Sequence, residues 1–408
     1  MKLTKIYDKY YDLTHFKHPG GDDAIWHSYN IDSTSLFESY HILSDRSKLL
    51  NILKKYEIKS TNKIKNSVEK SNILFRYNTN FIRELRKEMR EYFKDKTHKA
   101  TYKRWILIVI LFIFRFISIY YWLKESLLGL LLYPLFSWLS IVNIFHDACH
   151  FSLSHKPIIN KIFSYIGYEL STPLFWFYQH NLGHHMNTNI ENKDPDLYHG
   201  TYIYRVIKSI EYKYQHRFQT LSWIIVWILS YIGMIIKPLI DNYLYNYYYI
   251  YIRFKDDKLS YIEIKDKLLL LIYLFIRYIL LFWWFDNKSY IFIPTIIFSL
   301  LFMINSQLTH LHEHNYKINK DWYKHQIITA SNYSLNNNIT FIFSGGLNYQ
   351  IEHHILPGIN HCHYPYIQPI IKKLCIKYNI QYNEFSSYYQ AFKSYLNNIK
   401  NLSYEKLD

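Results

Sequence analysis

Histidines recur at helical spacing in this chain of 408 residues. In "HDACH", His146 and His150 are four residues apart, so both imidazoles lie on one face of a helix. In "HNLGHH", His180 and His184 have the same spacing, and His185 follows directly. With 21 histidines in the chain, this second pattern is expected roughly 0.06 times by chance. Neutral imidazole binds iron, zinc or copper, so the two stretches predict a metal site.

A third stretch, "QIEHH", has Gln350 four residues before the second of two adjacent histidines, His353 and His354. The three stretches together bring about eight histidines, counting one further upstream, which is too many for one ion and enough for two. Two iron ions can reduce oxygen to an oxidant that removes hydrogen from an unactivated methylene. Ordinary acid–base catalysis cannot do this, because such a hydrogen has no acidity.

Long apolar runs lie beside these stretches. Four runs have about the length needed to cross a bilayer: 105–123, 126–145, 268–285 and 290–310. Clusters at the ends of such helices would place the oxidant in a dry cavity beside a lipid chain. Arg115 and Arg277 interrupt two of the runs, and they either face the helix bundle or extend to the interface.

A fifth apolar run, 221–240, makes the number of membrane crossings uncertain, because that number decides which side each stretch faces. If it crossed the membrane once, "QIEHH" would face the opposite side from the other two stretches, and a shared metal site forbids that. We therefore predict that this run lies in the interface or turns back, and that four helices cross as two hairpins. The N-terminus, the segment between the hairpins and the C-terminal region would then all be cytosolic.

The composition agrees with a membrane protein. The formal net charge of +16 suits either nucleic acid or an anionic membrane face, and the apolar runs favour the membrane, so no nucleic-acid partner is expected. The three cysteines have no zinc or disulfide spacing, which suits a reducing compartment. The polar N-terminus has no secretory apolar region, so the first domain is expected in the cytosol.

The N-terminal stretch "HPGG" is followed, after a helical segment, by "SLFESYH". This pattern resembles cytochrome b5 domains. The resemblance implies that His18 and His41 bind the iron of haem b from opposite faces, and that the turn Pro19, Gly20, Gly21 passes close to the porphyrin edge. A haem with two imidazole ligands carries electrons and does not bind oxygen.

The longer stretches "HDACHFSLSHKP", "WFYQHNLGHHMNTNIENKDPDL" and "SGGLNYQIEHHILPGINHCHYP" resemble front-end membrane fatty acyl desaturases fused to cytochrome b5. Members of this family carry glutamine where Gln350 stands, as an iron ligand through its carbonyl oxygen or as a hydrogen-bond partner of a ligand. Asp147 and Glu352 are expected to orient imidazoles, and "DPDL" to line the mouth of the site. The resemblance implies these iron ligands: His146, His150, His180, His184, His185, His310, His353 and His354.

The predicted architecture has several domains. A small α+β haem domain of the cytochrome b5 type, short at its N-terminus, occupies residues 1–60, and a solvated, charged connecting helix occupies 61–103. An all-α integral membrane diiron domain with four transmembrane helices and a cytosolic helical cap follows over 104–390, and residues 391–408 form a tail.

The resemblance implies insertion of a cis double bond between an existing double bond and the carboxyl end of a long acyl chain, with O2 as co-substrate. Electrons would come from an NADH-dependent cytochrome b5 reductase through the haem. The substrate would be a membrane lipid or an acyl-CoA, and the active site would face the cytosol at the endoplasmic reticulum. A sphingoid long-chain-base desaturase or a lipid hydroxylase would use the same site. The complete set of histidines argues against an inactive haem protein. The residues select no bond position, acyl carrier or oligomeric state.

Overall fold

The computed structural model describes residues 2–26, 28–62, 64, 75–245, 247–248, 252–253 and 261–404. Its N-terminal unit contains an antiparallel sheet in the order β1 (Leu3–Ile6), β2 (Lys9–Asp12), β3 (Glu57–Ile58). Three helices lie between β2 and β3: α1 (Asp22–Trp26), α2 (Thr34–Tyr40) and α3 (Arg46–Lys54). This α+β unit is compatible with the haem domain predicted for residues 1–60.

The connecting segment contains helix α4 (Asn80–Tyr92). The prediction of a solvated helix is wrong for one of its faces. Phe81, Ile82 and Leu85 are at most 1% exposed and pack in one core with residues that follow the membrane helices. Their spacing follows the helical period, so a single apolar stripe is buried while the charged side chains remain outside. The rest of the predicted segment includes residues 63 and 65–74, which lie outside the described residues.

The remaining helices follow in chain order: α5 (Tyr102–Leu123), α6 (Leu127–Cys149), α7 (Pro157–Ser164), α8 (173–187), α9 (Gln219–Tyr245), α10 (261–284), α11 (Ser289–Gln307), α12 (Trp322–Ile328), α13 (Asn338–Ser344), α14 (Gln350–Ile355), α15 (Tyr364–Lys377) and α16 (Tyr388–Asn401). Short strands interrupt them: β4 (Tyr247–Tyr248) pairs with β5 (Ile252–Arg253), and β6 (Ser331–Tyr333) pairs in parallel with β7 (Asn383–Phe385). The domain is thus mostly helical, and the all-α prediction is corrected by these two strand pairs.

Within the described part of the chain, four helices are long and apolar enough to cross a membrane: α5, α6, α10 from Ile264 onward, and α11. Their lengths are 22, 23, 21 and 19 residues, which match the thickness of a hydrocarbon core. The predicted number of four candidate spans is therefore confirmed. Thr101 begins α5 by accepting a hydrogen bond from the Arg104 backbone N–H.

Both arginines within the apolar runs face the bundle. Arg115 donates to Glu169 at 3.0 Å. Arg277 is 5% exposed, donates to the Ile291 carbonyl oxygen at 3.1 Å, and lies 4.8 Å from the ring centre of Trp122. Each charge thus has a protein partner, which an apolar surrounding requires.

Helix α9 is continuous over 27 residues, so run 221–240 does not turn back on itself. Its Trp227 is 1% exposed and packs against Tyr395 of α16, with ring centres 5.4 Å apart. Helix α16 crosses the predicted domain boundary at residue 390, and its Ala391 and Ile399 are fully buried. The segment predicted to be a tail is therefore largely part of the folded domain. An interfacial position for α9 stays a prediction.

Candidate metal centre

The first histidine pair lies at the C-terminal end of α6. A π-helical turn, Ile141–Phe145, precedes His146 directly, and π turns are frequent at functional sites. His150 follows the last helical residue, and the rings of His146 and His150 are 4.7 Å apart. Both side chains are buried. The predicted convergence of this pair is thus observed.

The second cluster lies on a π-helix, Phe177–His184, where the sequence predicts α-helical spacing. A π-helix has i→i+5 hydrogen bonds, so it brings side chains five residues apart closer to one face than an α-helix does. Accordingly, the Nε2 atoms of His180 and His185 are 3.1 Å apart, while His184 points to a different set of partners. The cluster is therefore divided between two groups, which the expected α-helical geometry did not predict.

The third cluster lies on α14. Gln350 and His354 are one helical turn apart, with 3.2 Å between their Nε2 atoms, and His353 points away by about 100° as its neighbour in an α-helix. A left-handed turn precedes this helix. At Gly345 (φ +58°), an added Cβ would lie 2.4 Å from the Val142 carbonyl oxygen. The glycine therefore lets the third cluster approach the π turn of the first.

These elements assemble two groups of imidazoles, each able to hold a cation. The first contains His146, His150, His180 and His353, and the second contains His184, His310 and His354. His185 lies between them, with its ring centre 4.6 Å from that of His353 and 4.3 Å from that of His354. All eight are buried.

Distances between the ring nitrogens suit shared cations. Nε2 of His146 is 3.2 Å from Nε2 of His180, and Nε2 of His184 is 3.3 Å from Nε2 of His310. Two ligand nitrogens about 2.1 Å from one ion are roughly 3.0–3.4 Å apart. In the described part of the chain, Nε2 of His150 and of His353 have no hydrogen-bond partner. Buried nitrogens in this state are available as ligands.

In the second group, the other ring nitrogen of each histidine contacts an oxygen atom outside the two groups. Nδ1 of His184 lies 3.1 and 3.0 Å from the two carboxylate oxygens of Asp194, Nδ1 of His310 lies 2.9 Å from the Thr329 carbonyl oxygen, and Nδ1 of His354 lies 2.9 Å from Oε1 of Gln326. Acceptors at Nδ1 hold the proton there, which leaves the Nε2 lone pair free for a metal and fixes the ring orientation.

The electrostatics divide the histidines into two classes. Burial lowers the pKa of His310 to about 3, and burial together with neighbouring imidazoles holds the pKa of His180, His185 and His354 well below the usual value. These rings are neutral at pH 7. For His184, burial lowers the pKa, but nearby Asp194 and Asp196 outweigh it and raise the pKa to about 9. A cation that binds there replaces a proton.

Gln350 lies in the second group. Its Nε2 is 2.8 Å from Nε2 of His310, and its Oε1 is buried without a hydrogen-bond partner among the described residues. A half-turn of the amide exchanges the two terminal atoms, and it would direct the oxygen toward the ring nitrogens of His310 and His354. Both expected roles of this residue are therefore geometrically available.

The acidic residues of the three stretches differ from expectation. Asp147 accepts from Nδ1 of His361 at 2.8 Å, and His361 belongs to neither group. Glu352 accepts from Asn332 and Tyr382, both at 2.8 Å, so it anchors α14 and does not orient an imidazole. The carboxylate that does so is Asp194 of "DPDL", which is buried beside His184 and does not line the mouth of the site.

Partners of Nδ1 could be found in the sequence only in part. Asp194 lies ten residues from His184 in a quoted motif, so its role could have been proposed. Gln326 and Thr329 lie on or next to α12, outside the three stretches, and no spacing points to them. The histidines left without a role include His216, which lies 2.9 Å from the Thr201 carbonyl oxygen and joins neither group.

The N-terminal pair, His18 and His41, is also brought together. Their ring centres are 5.9 Å apart, close to the roughly 6 Å expected when one iron lies between two imidazoles. Nδ1 of His41 lies 2.8 Å from the Phe37 carbonyl oxygen, which leaves Nε2 free. Nδ1 of His18 instead accepts from the Gly20 N–H at 3.0 Å. Iron binding through Nε2 of His18 requires that this ring turn.

The turn after His18 packs against the membrane domain. An added Cβ at Gly21 (φ +101°) would lie 3.0 Å from Cβ of Pro157, so only a residue without a side chain fits there easily. Lys161 donates to Asp23 at 3.2 Å. Pro19 and Gly20 belong to the same turn. The predicted motif therefore has a second role, as a contact between the two domains.

Comparisons with known proteins agree with this arrangement. The family profile described as fatty acid desaturase matches residues 124–386. The chain is 30% identical to the probable Delta(5) fatty acid desaturase C of Dictyostelium discoideum, over 96% of this chain and 90% of that protein. It is 28% identical to Delta(5) fatty acid desaturase A of the same organism, over 95% and 88%, and 25% identical to the acyl-lipid (8-3)-desaturase of Mortierella alpina, over 97% and 92%. No solved structure matches the chain.

The profile covers more than half of the chain, and the alignments cover nearly all of it. Buried histidine groups of the kind described here could bind the two metal ions of a diiron enzyme. Four apolar helices are typical of an integral membrane protein. The chain belongs to the fatty acid desaturase family, whose members are oxidoreductases.

Proposed function

We propose that this protein is a front-end fatty acyl desaturase. It introduces a cis double bond between an existing double bond and the carboxyl end of a long acyl chain, with O2 as co-substrate. The observation that carries the proposal is the pair of buried imidazole groups, with Gln350 in the second of them. The names of the relatives, Delta(5) and (8-3) desaturases, make position five the first to test.

The proposed diiron centre uses His146, His150, His180 and His353 for one ion and His184, His310 and His354 for the other. His185 lies between the two groups, and Gln350 lies in the second. Such a centre supplies the oxygen-derived oxidant that removes hydrogen from a methylene group. The protein holds His184, His310 and His354 by their Nδ1 partners. It excludes water, because every proposed ligand is buried.

The proposed haem site uses His18 and His41, with Pro19, Gly20 and Gly21 in the adjoining turn. Haem b held by two imidazoles supplies one-electron transfer. The position of His41 supports this proposal directly, and His18 supports it once its ring has turned away from the Gly20 N–H. An NADH-dependent cytochrome b5 reductase is the proposed source of electrons.

The membrane topology follows from the meeting of the three clusters. If all four candidate helices cross the bilayer, α9 cannot also cross, because the histidines on either side of it share one site. We place α9 in the interface and the site on the cytosolic side of the endoplasmic reticulum membrane, where anionic headgroups attract the chain's net charge of +16. The substrate is a membrane lipid or an acyl-CoA.

The test is product analysis in a host that lacks polyunsaturated lipids. Wild-type protein and His184→Ala would be expressed, fatty acids with one to three double bonds supplied, and the products identified by gas chromatography–mass spectrometry. We expect a new cis double bond on the carboxyl side of the existing ones with wild type and none with His184→Ala. A hydroxylated product, or a new double bond confined to sphingoid bases, would contradict the proposal.

A further inference from the structure

Tyr40 joins the N-terminal unit to the first imidazole group. It is the last residue of α2 and directly precedes His41. Its hydroxyl oxygen lies 2.9 Å from Nδ1 of His150, and the side-chain amide of Asn181 donates to the same oxygen at 3.0 Å. A residue of the haem-binding unit thus contacts an imidazole of the metal centre.

The surroundings of Tyr40 come from all three histidine stretches. Its ring lies 6.0 Å from that of Phe151, directly after His150, and Asn181 directly follows His180. Gly358 follows the third cluster, and an added Cβ there would lie 3.1 Å from Cδ1 of Tyr40. The phenol therefore occupies a slot formed where the three stretches meet.

Helix α2 is held firmly in this position. The carboxylate of Glu38 is 1% exposed and accepts from the Tyr323 hydroxyl of the membrane domain at 2.9 Å. Arg46 donates to Glu38 at 2.8 Å, and Arg86 of α4 also donates to it. With the Tyr7 hydroxyl, which also donates to Glu38, two positive charges and two hydroxyls converge on one buried carboxylate, so the helix that carries Tyr40 is docked by a network.

The hydrogen bond between His150 and Tyr40 has a defined direction when metal ions occupy the proposed centre. Nε2 of His150 belongs to the first group and has no hydrogen-bond partner in the described part of the chain. When Nε2 binds a metal ion, the proton of the ring is on Nδ1, and Nδ1 donates to the Tyr40 oxygen. Tyr40 then accepts a hydrogen bond from Nδ1 of His150, as Asp194 accepts one from Nδ1 of His184, and each contact fixes the orientation of the ring.

We propose that Tyr40 is a positioning residue of the first metal site, contributed by the N-terminal unit. The first site is fully built only when that unit is docked, so the unit has a structural role at the metal centre that is separate from its proposed haem. This inference rests on the proposed diiron centre. In this arrangement α2 links the two proposed cofactor sites, because Tyr40 contacts the metal centre and the next residue, His41, is a proposed haem ligand.

The test compares full-length variants purified from cells grown on iron-57. Tyr40→Phe removes the hydroxyl and keeps the ring, His41→Ala removes a proposed haem ligand and keeps Tyr40, and Tyr10→Phe removes a hydroxyl from strand β2 of the same unit. Iron release to a chelator, the Mössbauer spectrum and the haem absorbance would be measured. His184→Ala serves to identify the signal of the second ion.

We expect Tyr40→Phe to release one of its two non-haem iron ions about tenfold faster, to change the non-haem signal that His184→Ala leaves in place, and to keep normal haem absorbance. His41→Ala should lose haem absorbance with iron retention unchanged, and Tyr10→Phe should match wild type. The inference is overturned if Tyr40→Phe matches wild type in both iron measurements, or if His41→Ala releases iron as fast as Tyr40→Phe.

A second variant guards against a folding defect in Tyr40→Phe. Asn181→Leu removes the other donor to the Tyr40 oxygen and should disturb the same iron signal to a smaller degree; an undisturbed signal counts against the inference. Wild-type protein without non-haem iron would instead refute the proposed diiron centre, so failure of the inference and failure of the proposed function give different results.

Discussion

The side-chain nitrogen of Gln350 lies 2.8 Å from Nε2 of His310 and 3.2 Å from Nε2 of His354. The glutamine thus holds a position within the second imidazole group, close to the place a histidine at residue 350 would fill. Because its Oε1 has no partner among the described residues, a half-turn of the amide presents a carbonyl oxygen to the same space. This relationship gives a chain with "QIEHH" the side chains for the proposed second metal site.

Gln350→Ala should weaken the second site, because the variant removes the amide beside His310 and His354. We expect about a tenfold loss of affinity for one of the two non-haem ions, measured as non-haem iron per chain after dialysis against a chelator. Gln350→His should retain both ions, since an imidazole fits the same position. An alanine variant with wild-type iron retention would show that the amide takes no part in metal binding.

Asp194→Asn should impair the second site through His184. The carboxylate contacts Nδ1 with both oxygens, and an amide of the same shape cannot hold the proton there as strongly. Conversion of a fed fatty acid should fall about tenfold to a hundredfold. Asp196→Asn is the matched control: its carboxylate is 3.5 Å from His184 and accepts from Gln179 at 2.6 Å, so a smaller loss is expected. Equal losses would contradict this assignment.

Glu38→Gln should loosen the docking of the N-terminal unit. It leaves Arg46 and Arg86 without their shared carboxylate, and breaking a buried ion pair costs about 3 kcal/mol or more. Limited proteolysis should cut the variant between the two domains faster than wild type. Tyr323→Phe removes one hydrogen bond to the same carboxylate and should cost only about 1 kcal/mol. Identical cleavage rates for Glu38→Gln and wild type would contradict the docking network.

Protonation of His325 should lower the stability of the folded protein in acid. Its Nε2 lies 2.8 Å from the Thr188 carbonyl oxygen, and burial lowers its pKa to about 4. Because the unfolded chain binds the proton more readily, the contribution is present in full above the unfolded pKa of about 6.5 and is lost as pH falls toward 4. At pH 5 the loss is about 2 kcal/mol.

Melting temperatures at pH 8 and pH 5 would check the His325 prediction. His325→Gln is neutral at both values, so its melting temperature should fall less between them than that of wild type. The same fall in both proteins would show that His325 does not contribute to acid sensitivity.

The sequence predicted which residues form the site better than it predicted the local structure that positions them. His146, His150 and the other six histidines meet as expected, because their types and the adjoining apolar runs were visible. The division of His184 from His180 was not predictable from spacing alone, since it depends on a π-helix. A π turn has no sequence signature comparable to a cap or a glycine, because tertiary packing selects it.

Long-range contacts were the other part that the sequence could not give. Helix α4 has a charged sequence, and its burial depends on an apolar surface near Trp322, more than 200 residues later. The same holds for Tyr40 and Gln326, which contact histidines from distant segments. Periodicity reports which face of an element is apolar, and it does not report the partner of that face.

The most direct test of the central claim is the iron content of the purified protein, measured together with its activity. We predict two non-haem iron ions per chain in wild type, in addition to the iron of the proposed haem, about one non-haem ion in His184→Ala, and new double bonds from wild type alone. Purified protein that forms double bonds without non-haem iron, or a His184→Ala variant that keeps two non-haem ions and full conversion, would contradict the account.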